Sequence, residues 1–238
     1  MIIVIGRGHS GTRAISQTLY ASGVYMGRLL NRSADLVPPE RMYEACRVAA
    51  EYVKWQGDLV WDFSELIVGP IDRRFASHIE GYLGDILEHR DLKGWKIPET
   101  VLVYPWIART FPEAKYIKWI RDPRDSIISD HTTDDLRDFG ITYPETDDIR
   151  ERRAISWHYQ YQIMKATPDP ASVITVRFED FVLRQEETLQ RLEEFLGFQL
   201  ARIVVREDSV GRWKTDPEQR HFPFLDEAMA DQGYGSEG

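Results

Sequence analysis

An α/β domain, with a central, mainly parallel sheet and helices on both faces, follows from three features of these 238 residues. The short continuous apolar run MIIVI at the start suits a strand buried on both faces, and KYIKWI at 115–120 reads as a strand by its β-branched and aromatic content. Between such runs lie longer segments whose apolar residues recur at three- and four-residue steps, the period of a half-buried helix. Glycine and proline stand at the joints: Gly6, Gly23, Pro39, Pro123 and Gly197.

Taken in order, residues 1–5 are a strand ended by Gly6. Ala14, Ile15 and Leu19 predict a helix from Thr12 to Ser22, with Gly23 as its left-handed cap. After the polar loop 31–38, Pro39 opens a helix that Met42, Ala45, Cys46, Ala49 and Val53 carry to about Trp55. A strand is expected at 58–63, a helix at 70–89, a strand at 92–97 and a helix at 98–110 broken near Pro105. The strand 115–120 leads into a helix that Pro123 starts and His131 ends. Residues 132–149 are polar, acidic and turn-rich, which predicts an exposed loop able to act as a lid. Ile155, Tyr159 and Ile163 mark a helix over 148–165, a strand follows at 173–176, and Gly197 caps a last strong helix at 186–196. The glycine-rich stretch 232–238 reads as a flexible tail, leaving 1–231 as a single domain.

Composition narrows function. Thirty Lys and Arg against 39 Asp and Glu give a net charge of −9, which argues against a general nucleic-acid or anionic-membrane binder. The 42% hydrophobic content fills a sizeable core. Cys46 is the one cysteine, so neither an internal disulfide nor a cysteine zinc site fits, and a reducing, cytoplasmic setting is expected. No run approaches the ~20 apolar residues of a membrane span.

The chemistry gathers where strands end. Gly6-Arg7-Gly8-His9-Ser10-Gly11-Thr12 lies between the first strand and the first helix, the setting in which a glycine loop cradles an oxyanion with backbone amides and a helix start. Ser10 and Thr12 add hydroxyl donors. A nucleotide hydrolase would place lysine directly before the threonine, and here Gly11 stands there. The available cations are His9 and Arg13.

A second anion site is expected beyond the strand 115–120, where Arg121 sits at the strand's carboxyl end and Ser129 two helical turns on. Asp122, at that same strand end, keeps open a small-molecule kinase using magnesium-ATP, although Arg121 and Arg124 beside it suit an anion better than a divalent cation. A nucleotide-binding module without catalysis is the other alternative.

Together these elements resemble the sulfotransferases that use 3′-phosphoadenosine 5′-phosphosulfate (PAPS), and the resemblance spans most of the chain. Gly8 to Arg13, GHSGTR, is similar to the family's K-S-G-T-T or K-G-G-T-R element around the 5′-phosphosulfate. Arg121, Asp122-Pro123, Asp125 and Ser129 match its 3′-phosphate pattern in type and spacing. Trp95-Lys96-Ile97-Pro98 resembles H-L-P or K-x-P, Arg177 to Phe181 resembles Y-E-D-L, and Gly211-Arg212-Trp213-Lys214 resembles the late segment that closes over the nucleotide. One position departs: His9 replaces the loop lysine, and it can carry that charge only if neighbouring oxyanions raise its pKa.

The resemblance implies a P-loop-like three-layer sandwich and sulfuryl transfer to a hydroxyl or amine. It places the nucleotide on Gly8, His9, Ser10, Gly11, Thr12, Arg13, Arg121, Ser129, Arg212, Trp213 and Lys214. For catalysis it implies Lys96 and His9 as charge-stabilising groups, and a base among acids after the first helix, with Asp35 and Glu40 as candidates. Glu99 is a further choice of base. No metal is required on this reading, because positioning and protein cations can stabilise a loose transition state. The aromatic content suits a small-molecule or lipid-like acceptor.

Overall fold

The computed structural model of the protein describes residues 1–235. Its strands are β1 (Ile2–Ile5), β2 (Lys54–Gly57), β3 (Val60–Asp62), β4 (Gly94–Lys96), β5 (Lys115–Ile120) and β6 (Val173–Arg177). β1, β4, β5 and β6 form one parallel sheet in the order β4-β1-β5-β6, while β2 and β3 form a separate antiparallel hairpin. The helices are α1 (Thr12–Ala21), α2 (Glu40–Ala50), α3 (Ser64–Val68), α4 (Arg73–Glu88), α5 (Tyr104–Thr110), α6 (Pro123–Ser126), α7 (Ile149–Ala166), α8 (Phe178–Leu183), α9 (Gln185–Leu196) and α10 (Asp226–Asp231). Among the described residues no helix is long and apolar enough to cross a membrane.

Side-chain alternation along the strands builds two cores. Ile3, Ile5, Trp95 and Tyr116 pack with α2, α4, α5 and α7 on one face. Ile2, Val4, Ile117, Trp119 and Val176 pack with α1, α8 and α9 on the other. Both faces of β1 are therefore apolar, which is why MIIVI shows no alternation. Truncating a fully enclosed side chain such as Trp119 to alanine costs about 3–5 kcal/mol.

The strand order also fixes where a ligand goes. The chain leaves β1 toward β4 and leaves β5 toward β6, so the connections diverge between the carboxyl ends of β1 and β5. Such a switch point opens a crevice, and it lies beside Gly6 and Arg121.

Several boundaries differ from expectation. The helix expected to reach Trp55 stops at Ala50, because Gly57 and Asp58 adopt left-handed backbone (φ 101° and 46°) and close the β2–β3 hairpin. Pro105, expected to break a helix, instead sits in the first turn of α5 after a 3-10 stretch over Pro98–Val103. α6 ends at Ser126 and does not reach His131. The carbonyls of Ile127 and Ile128 accept from Arg153, and the amide of His131 donates to Asp134, so side chains take the groups a longer helix needs.

Residues 132–149 do not form the exposed loop expected of them. Leu136, Phe139, Ile141 and Tyr143 are buried in the main core, and two of the acids are paired there: Asp134 with Arg7 and Arg153, Asp135 with Arg137 and Arg152. In the stretch expected to be a flexible tail, Tyr234 is buried, donates to Glu179 (2.9 Å) and lies under Arg177. Residues 236–238 of that stretch lie outside the described residues.

Candidate functional site

The crevice at the switch point is a cavity of about 480 Å³, within the ~300–1,000 Å³ usual for small-ligand sites. Its walls bring together Gly8, His9, Gly11, Thr12 and Arg13 from the loop after β1, Asp35 and Lys96, and Arg121 and Arg212.

The glycine loop is shaped by close approach. Gly11 has φ 82°, and a Cβ there would stand 2.4 Å from the Phe178 ring; a Cβ on Gly8 would meet the His131 ring at 2.2 Å. Both positions therefore require glycine. The loop leads directly into α1, whose first residues Thr12 and Arg13 lie at the cleft, while the next amide, of Ala14, donates to the Gly11 carbonyl at 2.9 Å. Ser10 turns inward instead: its hydroxyl donates to the Arg7 carbonyl at 2.5 Å, and it does not line the cavity.

Arg7, which sequence reasoning passed over, fixes this loop from below. Buried at 3% exposure, its guanidinium pairs with Asp134 at 2.5 Å and donates to the carbonyls of Gly8 and Ser126. His9 has left-handed backbone, φ 58°, and its ring meets His131 edge to face at 5.6 Å. Burial, then the Arg7 charge, hold the His9 pKa below its ordinary value, outweighing Asp130 and Asp134. The charged histidine required of a lysine substitute is thus not favoured by the protein alone.

Across the cavity, Lys96 at the end of β4 is buried, donates to the Ser33 carbonyl at 2.8 Å and forms a short ion pair with Asp35. Burial lowers the Lys96 pKa, and Asp35 opposes that fall. Behind the pair, Glu99 is buried at 2% exposure, and desolvation first, then Asp35, push its carboxyl up to about 7. Glu40 lies elsewhere, exposed at the start of α2 and off the cavity wall.

Arg121 lines the cavity from the end of β5, 6% exposed. Nη1 donates to the His9 carbonyl at 3.0 Å, and Nη2 donates to Asp125 at 3.1 Å and to the Ser209 carbonyl. Its guanidinium lies 4.4 Å from the Phe178 ring centre. With α6 ending early, Ser129 falls in a bend and does not line the cavity. Asp122 caps α6 by accepting from the Arg124 amide and pairs with the Arg124 guanidinium at 2.7 Å.

The late segment contributes unevenly. Arg212 lines the cavity, but Trp213 and Lys214 do not; Trp213 lies under Arg124 at 3.8 Å, with Lys214 over the same ring at 5.6 Å. Phe178, His131 and Ser209 also line the cavity, none of them assigned as ligand contacts from the sequence. The R-F-E-D-F stretch was the available signal for Phe178. His131 stood out only as a histidine close after Ser129 and read as a helix end, and no local signal marked Ser209.

A profile described as Sulfotransferase family matches residues 2–202. A Caenorhabditis briggsae protein bearing the provisional name protein-tyrosine sulfotransferase is 26% identical over 214 residues, covering 87% of this chain and 74% of the relative. Two solved structures share the fold at 14% identity. The sulfotransferase domain from the curacin biosynthetic pathway has a TM-score of 0.61, with 98% of this chain and 97% of that one covered. The sulfotransferase domain from the Synechococcus PCC 7002 olefin synthase has a TM-score of 0.60, with 98% and 94% covered.

Proposed function

This chain belongs to the sulfotransferase family, and we propose that its cleft takes PAPS and passes the sulfuryl group to a hydroxyl or amine held against Asp35. The carrying observation is one cavity that joins the glycine loop after β1, Arg121 after β5 and the buried Lys96–Asp35 pair.

On this reading the loop amides from Gly8 to Arg13 and the start of α1 hold the 5′-phosphosulfate. Arg121, with Arg212 nearby, takes the 3′-phosphate, whose oxygen replaces the Ser209 carbonyl on Nη2. The acceptor attacks sulfur, the bond from sulfur to the bridging phosphate oxygen breaks, and its electron pair leaves with 3′-phosphoadenosine 5′-phosphate. The acceptor's proton passes to the Asp35 carboxylate. Lys96 and the loop amides stabilise the charge that develops on the leaving oxygen. Protein cations serve both ends, so no divalent metal is needed. The apolar rim formed by Ile203, Val204 and Val205 favours a small or lipid-like acceptor.

Calorimetry with 3′-phosphoadenosine 5′-phosphate in EDTA tests the donor site, and labelled PAPS tests transfer to a panel of alcohols, phenols, tyrosine peptides and amines. Binding in EDTA together with transfer supports the reading. Preference for magnesium-ATP would replace it with a kinase, and binding without transfer to any acceptor would leave an inert module.

A further inference from the structure

His131 caps the 3-10 turn Thr132–Asp134, and the cap's hydrogen bond bears on which ring nitrogen holds the proton. Nδ1 accepts from the amide of Thr133 at 3.2 Å and lies 3.1 Å from the Thr133 hydroxyl, which can donate to it as well. A ring nitrogen that accepts from an amide carries no hydrogen, so the neutral imidazole bears its proton on Nε2. The turn is rigidly tied to the glycine loop: Asp134 accepts from the His131 amide at 2.6 Å and from Arg7 at 2.5 Å, and pairs with Arg153 at 3.2 Å. The ring lies over Gly8 by its Cγ, Cδ2 and Nδ1 atoms, which puts Nε2 on the opposite edge. Among the described residues no group accepts from Nε2, and His131 shares the cavity wall with His9, Asp35 and Lys96.

We propose that His131 donates its Nε2–H to an oxygen of the sulfuryl group in transit, acting as a neutral catalytic donor; this rests on the sulfotransferase reading above. Neutrality matters at this spot. Burial first, then the charges of Arg7, His9 and Lys96, push the ring's pKa down to about 3, while Asp134 on its own turn is already engaged by Arg7, Arg153 and the His131 amide. A further cation there would be repelled, whereas a fixed N–H dipole stabilises developing negative charge without adding like charge.

Two variants separate the donor from its supports. His131→Phe keeps the ring over Gly8, and His131→Asn keeps a cap for Thr133. Each should lower kcat on the order of 100-fold, the scale of losing one preorganised donor, and leave the affinity for 3′-phosphoadenosine 5′-phosphate, which lacks the sulfuryl group, within about 3-fold. A folded variant that retains kcat within about 3-fold, or that loses product affinity and kcat equally, overturns the inference. Imidazole ¹⁵N shifts of the wild-type protein should show the Nε2–H form unchanged from about pH 5 to 8, and an Nδ1–H signal overturns it even where the function reading stands. If the wild-type protein binds no product nucleotide, the function reading fails and this inference with it.

Discussion

Asp125, with a fully buried side chain, holds Arg121 and the segment overhanging it in one grip. Its Oδ2 accepts from Arg121 Nη2 at 3.1 Å and from the Gly211 amide at 2.9 Å, and its Oδ1 accepts from the Trp213 amide at 2.9 Å. The guanidinium at the cleft is therefore aimed by the same carboxylate that ties down residues 209–213. Asp125→Ala should weaken binding of 3′-phosphoadenosine 5′-phosphate by roughly 10- to 100-fold, about 1.5–3 kcal/mol for hydrogen bonds to a charged group. It should also speed tryptic cleavage at Arg206 and Arg212 as the segment loosens. Calorimetry and limited proteolysis read the two effects, and unchanged values for both would refute the grip.

Lys96 and Asp35 act as a pair, so their variants should part company in kinetics. Asp35→Asn preserves shape and a hydrogen-bond acceptor for Lys96 but cannot take a proton. Turnover should fall by about 10²- to 10⁴-fold, the range for loss of a general base, with product affinity nearly unchanged. Steady-state rates alongside calorimetry decide it; a variant with wild-type kcat would move the base elsewhere. Lys96→Ala should be worse for stability, because it strands a mostly buried Asp35 carboxylate without its cation.

Much of this architecture was legible where one residue's role is set by its neighbours in sequence. KYIKWI became β5 with its ends unchanged, since buried β-branched and aromatic residues permit little else. Gly11 was readable as a turn glycine, but the Phe178 ring that also demands it comes from β6's far end and leaves no local trace. Arg7 looked like one more loop residue because its partner, Asp134, is fixed only by the fold. Residues 132–149 misled for the same reason: Asp134 and Asp135 looked solvated, yet Arg7, Arg152 and Arg153 pair with them inside the structure. The helix expected to carry Ser129 two turns beyond Arg121 ends early, where Arg153 and Asp134 take up the Ile128 carbonyl and the His131 amide.

Glu99 should make stability fall with rising pH. Its carboxyl sits near pKa 7 in the folded protein because burial disfavours its charge, against a usual value near 4.5. The folded state thus holds a proton that the unfolded chain has released between those values, and stability is lost as pH climbs through that window. The full effect is about 3 kcal/mol at 1.36 kcal/mol per pKa unit. Glu99→Gln, which cannot ionise, should be more stable than wild type in urea at pH 8 and indistinguishable near pH 4.5. A pH-independent difference between the two proteins would show that Glu99 ionises freely.

His9 should couple nucleotide binding to proton uptake. In the free protein its pKa is held below 6.5 by burial and Arg7, with Asp130 and Asp134 only partly opposing them and the His131 ring at its edge. A 5′-phosphate seated in the loop after β1 would bring oxyanions beside the imidazole and raise that pKa. Binding then takes up a proton at pH values between the free and bound pKa, so affinity rises as pH falls through the bound value and levels off below the free one. The slope cannot exceed about tenfold per pH unit for one proton. The nucleotide's own phosphate titrates near pH 6, so the comparison that matters is with His9→Gln, which keeps a donor but no ionisable group. Calorimetry of 3′-phosphoadenosine 5′-phosphate binding in buffers of different ionisation enthalpy should count more protons taken up by wild type than by the variant around pH 6.5. His9→Lys, charged throughout, should bind more tightly at pH 8 with the steep dependence gone. Equal proton uptake in all three proteins would mean that His9 stays neutral in the complex and serves the phosphate only as a hydrogen-bond donor.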